Sequence, residues 1–195
     1  MEQIEALETA YAYAGRLVAG VPADRRGSAT PCPSYDVEGV ANHLVTVLEM
    51  FSGALEGEQR SMEEYTGDFL GDDWDAAFGR AAARNLAGWR RPGVLDGTLA
   101  MPFGEVPAAV GVYLNLGDAL LHGWDVGVGS GQDAPLPDEP AAMMLEFMRG
   151  MLKPEMRSEG PDAAFGPEVP VAADAPITDR LVGFAGRDPA WVAAG

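Results

Sequence analysis

Cysteine is nearly absent. Cys32 stands alone in 195 residues, which excludes an internal disulfide and any cysteine-rich zinc site. Basic side chains are scarce too, 13 lysines and arginines against 30 aspartates and glutamates, for a formal charge of -17. So acidic a surface repels phosphate backbones and anionic lipid heads, so neither nucleic acid nor a membrane is expected as a partner. Long apolar runs are missing, since no window approaches the roughly 18 uninterrupted apolar residues of a membrane span. The opening MEQIEALETAYAYAGRLVAGV begins on acids without the basic flank of a secretory leader, which makes the cytoplasm the expected location. Histidine is rare, with His43 and His122 the only two, so any imidazole chemistry is confined to two positions.

Apolar residues are plentiful, at 47%, enough for one domain over 1–195 with a real core. Apolar spacing of three and four predicts helices over about 2–20, 37–57 and 73–91, the second with Asp36 as its N-cap. Asp72, Asp73 and Asp75 suit a helix start, and they lack the ligand order and glycine of a calcium loop. Pro92-Gly93 breaks the third helix, and Val94 to Val106 reads as a short extended excursion or hairpin. A fourth helix is expected from about Pro107 to Val128, stopped by the glycines of Gly127-Val128-Gly129-Ser130-Gly131. A fifth, about 138–152, carries Met143, Met144, Phe147, Met148 and Met151 as core filler. The tail over 154–195 reads as mostly irregular, with one short helix near 177–185. The expected class is all-α, a bundle with a decorating tail.

On a helical wheel the second helix has a polar stripe of Glu38, Asn42, Glu49, Ser52 and Glu56. His43 lies away from it, in line with Val40, Val47, Met50 and Ala54, and so points inward. Taken alone, this is a core histidine satisfied by one hydrogen bond. The fourth helix is apolar almost all round, apart from one stripe of Asn115, Asp118, His122 and Asp125. Asp118 and His122 are one turn apart, so a carboxylate and an imidazole converge there. With an imidazole from a facing helix they supply three ligands to a divalent ion, with positions left open. The competing reading is that the stripe is the solvated face of a surface helix, and spacing does not separate the two.

The segments TPCPSYDVEGVANHLV, GDALLHGWDVGVGSGQD and FGPEVPVAADAPITDRLVGFAGRDPAW resemble the DinB-like superfamily. They resemble in particular its actinobacterial metal-binding branch, related to the N-terminal domain of mycothiol-dependent maleylpyruvate isomerase. The resemblance covers the whole chain in order. It implies a four-helix bundle, here with an extra helix, whose metal is held by a helix-2 histidine and by a carboxylate and a histidine one turn apart. Those roles fall on His43, Asp118 and His122. Two departures stand out. Tyr35 occupies a place where many relatives carry tryptophan, and the isomerase has a further C-terminal domain where this chain has its short tail, which argues against that particular substrate.

Asp125, a further turn along from His122, is placed to orient a ligand or a bound water from behind; a solvated carboxylate fits equally. Cys32, between two prolines, is expected as a small buried hydrophobe, with a reactive thiol at the bundle mouth as the alternative. Trp124 is expected in the core. The glycines after the fourth helix follow a helix, where a dinucleotide loop would follow a strand. Nitrogen and carboxylate ligands favour zinc or nickel. The leading expectation is a metal-dependent transferase or isomerase, with a thiol of the mycothiol type and a small electrophile as its partners. A metal-dependent hydrolase and a non-catalytic metal- or small-molecule-binding bundle are the rivals, with a homodimer as a candidate assembly.

Overall fold

The structure, a computed structural model, describes residues 1–160 and 165–193. Six α-helices and one two-stranded sheet form among them. Helix α1 (Gln3–Ala19) opens with a capping box between Glu2 and Glu5, which satisfies amide groups left free at its start. Helix α2 (Val37–Leu55) is capped as expected, the Asp36 carboxylate accepting from the Gly39 amide at 2.8 Å. Helix α3 (Trp74–Trp89) starts on Asp73, whose carboxylate accepts from the Ala76 amide, so this acidic run is a helix start. Among the described residues no helix is long and apolar enough to cross a membrane.

The excursion after α3 is a hairpin, β1 (Thr98–Met101) against β2 (Gly104–Pro107). Its antiparallel register pairs Leu99 with Val106 and Ala100 with Glu105. The fold is therefore mostly helical and not purely all-α. Gly104, at φ 125°, takes the positive backbone angle that the turn after Phe103 requires. Leu99 and Met101 turn inward, and β1 rests on α2 and on the fourth helix.

Helix α4 (Ala108–Gly129) is the longest and the most central. It packs on α1 and α2, while α3 closes against both of those. The four share one core that includes Leu7, Leu17, Leu44, Trp89, Leu116 and Leu120. Trp124 belongs to it, as expected. The expected glycine terminator is shifted. Gly127 and Gly129 lie inside α4, and only Gly131, at φ 80°, turns the chain. A Cβ on Gly127 would come within 2.6 Å of the Ala134 Cβ and 3.1 Å of Leu17, so that glycine exists for close packing.

Helix α5 (Asp138–Met151) covers α4 and α1, burying Met144 and Met148 but leaving Met151 exposed, contrary to a uniform core-filling role. Of the tail expected over 154–195, residues 161–164 and 194–195 lie outside the described part. The remainder is more than decoration. Helix α6 (Ile177–Phe184) packs on α5 and buries Leu181 and Val182, and Ala185 and Arg187 follow them inside.

A polar cluster stitches α1, α2 and α3 together. Asn85 is fully buried; it accepts from the Tyr11 hydroxyl at 2.8 Å and donates to the Leu48 carbonyl at 3.1 Å. Ser52, placed by the wheel on the solvated stripe of α2, is buried beside it because α3 covers that part of the stripe. Asn85→Ala strands the Tyr11 hydroxyl in the core and should cost about 2–3 kcal/mol. Urea unfolding of wild type and variant checks it; a loss no larger than that of an exposed alanine substitution contradicts it.

Candidate metal centre

The stripe on α4 is an inward face. Asn115 and Asp125 are 1% and 0% exposed, which removes the reading of a solvated helix surface. Asn115 accepts from the Trp89 indole at 2.9 Å, fixing the upper end of the stripe against α3. One turn on, Asp118 meets His43 of α2, whose Nε2–H donates to Asp118 Oδ1 at 3.1 Å. His122 lies beside both, with its Nε2 3.7 Å from the same oxygen and its ring edge-on to that of His43 at 4.8 Å. The three expected residues are thus brought together, and their ligand atoms lie within 4.8 Å of one another. Such a group is able to hold a metal ion.

His43 is less buried than its wheel position implies, with about a third of its side chain exposed (30%). The reason is the segment before α2. Tyr35 stacks on the His43 ring at 5.5 Å and is itself exposed, so the pair forms a rim and not a core layer. Burial by itself lowers the His43 pKa. The Asp118 charge and hydrogen bond, with the Asp125 charge added, outweigh it and hold the pKa above the ordinary value.

Behind His122 stands Asp125, fully buried and so not the solvated carboxylate that the sequence equally allowed. A carboxylate can only accept, so the proton on His122 Nδ1 points to Asp125 Oδ2 at 3.0 Å. That fixes the neutral tautomer with the Nε2 lone pair toward Asp118. A fully buried carboxylate needs a counter-charge, and Arg187 supplies it, with Nη2 3.0 Å from Oδ2 and Nε 3.4 Å from Oδ1. Burial raises the Asp125 pKa, but the Arg187 charge and the His122 hydrogen bond reverse this and hold it below the usual carboxylate value. Sequence reasoning missed Arg187. It follows a Gly-rich turn more than 60 positions away, and no helical period connects it to the stripe.

A second group, Cys32, His122 and Asp125, also brings its ligand atoms within 4.8 Å. Here Arg187 already neutralises the carboxylate. Asp118, by contrast, has no arginine or lysine at ion-pair distance among the described residues, only the two imidazoles. Cys32 is buried, as expected, and it also faces the site, because the turn Thr30-Pro31-Cys32-Pro33 is held by the Thr30 hydroxyl donating to the Tyr35 carbonyl at 2.7 Å. Burial pushes its thiol pKa up, outweighing the Ser34 hydrogen bonds and the Arg187 charge.

The ligand group and its neighbours border a cavity of about 610 Å³, with Asp125 set behind its wall. One end is polar, with Cys32, Tyr35, His43, Asp118, His122 and Arg187. The walls are apolar, with Val47, Met50 and Phe51 from α2, Tyr113 and Leu121 from α4, Met144 from α5 and Phe103 from the hairpin. Phe165 to Pro167 of the tail close one side.

A mostly helical fold whose central helix presents a carboxylate and an imidazole to an imidazole from its neighbour defines a helical protein of the DinB-like type. The chain belongs to the family of the mycothiol maleylpyruvate isomerase N-terminal domain, whose model matches residues 7–127. That span contains His43, Asp118, His122 and Asp125 and ends inside α4, before Arg187. Two uncharacterized proteins of Mycobacterium tuberculosis, one from each of two strains, are 30% identical over 191 residues, covering 96% of this chain and 98% of theirs. No solved structure matches the chain.

In metal-free protein, His43 should titrate above its ordinary value. Because the folded pKa is raised, its stabilising contribution is full at low pH, below the unfolded pKa of about 6.5, and is lost as pH rises through the folded pKa. Asp118→Asn removes the charge and leaves burial to dominate, so the His43 pKa should fall below the ordinary value. Ring-proton NMR titration of both proteins reads this directly; an unchanged midpoint in the variant refutes it.

Proposed function

We propose that this protein is a metal-dependent enzyme that transfers or isomerises a small electrophile with the help of a mycothiol-type thiol. The observation that supports it is the meeting of His43 Nε2, Asp118 Oδ1 and His122 Nε2 at the polar end of an apolar-walled cavity. Two imidazole nitrogens and one carboxylate oxygen suit zinc or nickel. Metal–ligand bonds of about 2 Å place neighbouring ligand atoms about 3–4 Å apart, and the separations of 3.1 and 3.7 Å fall in that range. When bound, such an ion supplies Lewis acidity and lowers the pKa of a thiol or water in a remaining position.

The residues of the chain divide the remaining work. Asp118 provides the negative charge that draws a cation, since the charge of Asp125 is spent on Arg187. His122 presents a fixed lone pair, because Asp125 holds its other nitrogen. His43 must release its Nε2 proton to act as a ligand, which makes binding weaker in acid. Met50, Phe51, Leu121 and Met144 exclude water and hold the apolar body of an acceptor. Burial pushes the Cys32 thiol pKa up, which disfavours its thiolate, and this reading therefore takes the reacting thiol from solution. The choice of a mycothiol-type thiol rests on the family.

Protein purified without a histidine tag should carry about one divalent ion per chain, and His43→Ala and Asp118→Ala should lose it. Metal-loaded wild type should accelerate transfer of mycothiol to a chromogenic electrophile, with stripped protein and His43→Ala falling to background. Elemental analysis and a panel of thiols make the test. Equal metal in wild type and His43→Ala overturns the ligand set, and thiol-independent turnover of an ester or amide points to a hydrolase.

A further inference from the structure

The matched family span stops at residue 127, yet the counter-charge of the centre comes from residue 187. Arg187 is 9% exposed and Asp125 is 0% exposed, so this ion pair is sealed between α4 and the tail. The loop that carries Arg187 has little freedom. The Arg187 amide donates to the Val182 carbonyl at 2.9 Å, and the Val169 amide donates to the Gly183 carbonyl at 2.9 Å. Gly186, at φ 89°, lies so close to the Gly166 backbone that a Cβ there would come within 2.8 Å of it. Arg157 in turn donates to the Gly166 carbonyl at 2.9 Å. A string of contacts thus runs from the folded tail through Arg187 and Asp125 to the imidazole of His122.

We propose that Arg187 is a positioning residue that couples docking of the C-terminal tail to metal binding at His43, Asp118 and His122. This rests on the metal-binding reading above. With the tail docked, Arg187 fixes both oxygens of Asp125, so the carboxylate cannot rotate away from His122 Nδ1–H. Losing Arg187 leaves a buried carboxylate free to rotate, and the His122 ring loses the partner that aligns it. Coupling of this kind is reciprocal: by whatever factor docking tightens metal binding, metal tightens docking.

The test uses the full chain with zinc as the only added ligand. Zinc affinity is measured by competition with a chromophoric chelator, and tail docking by hydrogen exchange at the amides of 181–187. Arg187→Gln should weaken zinc binding by about tenfold to a hundredfold, the usual range for an outer partner of a metal-bound histidine. In an Asp125→Asn background the same substitution should have no effect, because Arg187 acts only through that carboxylate. Zinc should slow exchange at 181–187 in wild type and not in Arg187→Gln. An arginine that merely stabilises the fold would give equal losses in both backgrounds and zinc-independent exchange, and either result overturns the proposal. If Arg187→Gln fails to fold, the exchange comparison on wild type alone decides. Wild type that takes up no zinc sinks the metal reading itself and this proposal with it; wild type that binds zinc while Arg187→Gln binds equally well sinks only the coupling.

Discussion

A carboxylate with no exposure to water constrains much of this molecule. Asp125 sits near the C-terminal end of α4, fully buried, where an unpaired charge would cost several kcal/mol. Two groups relieve it, the Nδ1–H of His122 on its own helix and the guanidinium of Arg187 from the far end of the chain. The first bond sets the tautomer and the direction of His122. The second obliges the tail to fold back over the bundle, because only there does Arg187 reach its partner. The orientation of the site and the closure of the cavity are therefore consequences of one buried charge.

The charge arithmetic of the centre follows from the same pair. Asp125 and Arg187 pair with each other, whereas Asp118 meets only the two imidazoles at ion-pair distance among the described residues, at the polar end of the cavity. The nearest compensation for Asp118 is a proton on His43, whose pKa is raised despite burial. On the proposed metal-binding reading, an ion would compete with that proton, and would do so more easily at neutral pH than in acid. The excess of acids in the chain adds a general attraction for cations.

Local patterns carried most of the helical framework. Apolar spacing, Asp36 before α2, the acids before α3 and Pro92-Gly93 after it are signals read within one or two turns, and the helices begin and end near them. The convergence of Asp118 and His122 was legible for the same reason, since residues four apart on a helix share a face whatever surrounds them. His43 needed the resemblance as well, because its wheel position gave only a direction and not a partner.

Everything that depends on which faces meet was decided by the tertiary structure. The stripe of Asn115 to Asp125 could be a wet surface or a buried seam, and packing of α4 against α1, α2 and α5 made it a seam. Ser52 went inside because α3 covers it, and Gly127 stayed in a helix because Leu17 and Ala134 needed its space. Arg187 had no sequence signal at all. Periodicity records only contacts between residues a few positions apart, whereas an ion pair across 62 positions exists only once the chain has folded back on itself.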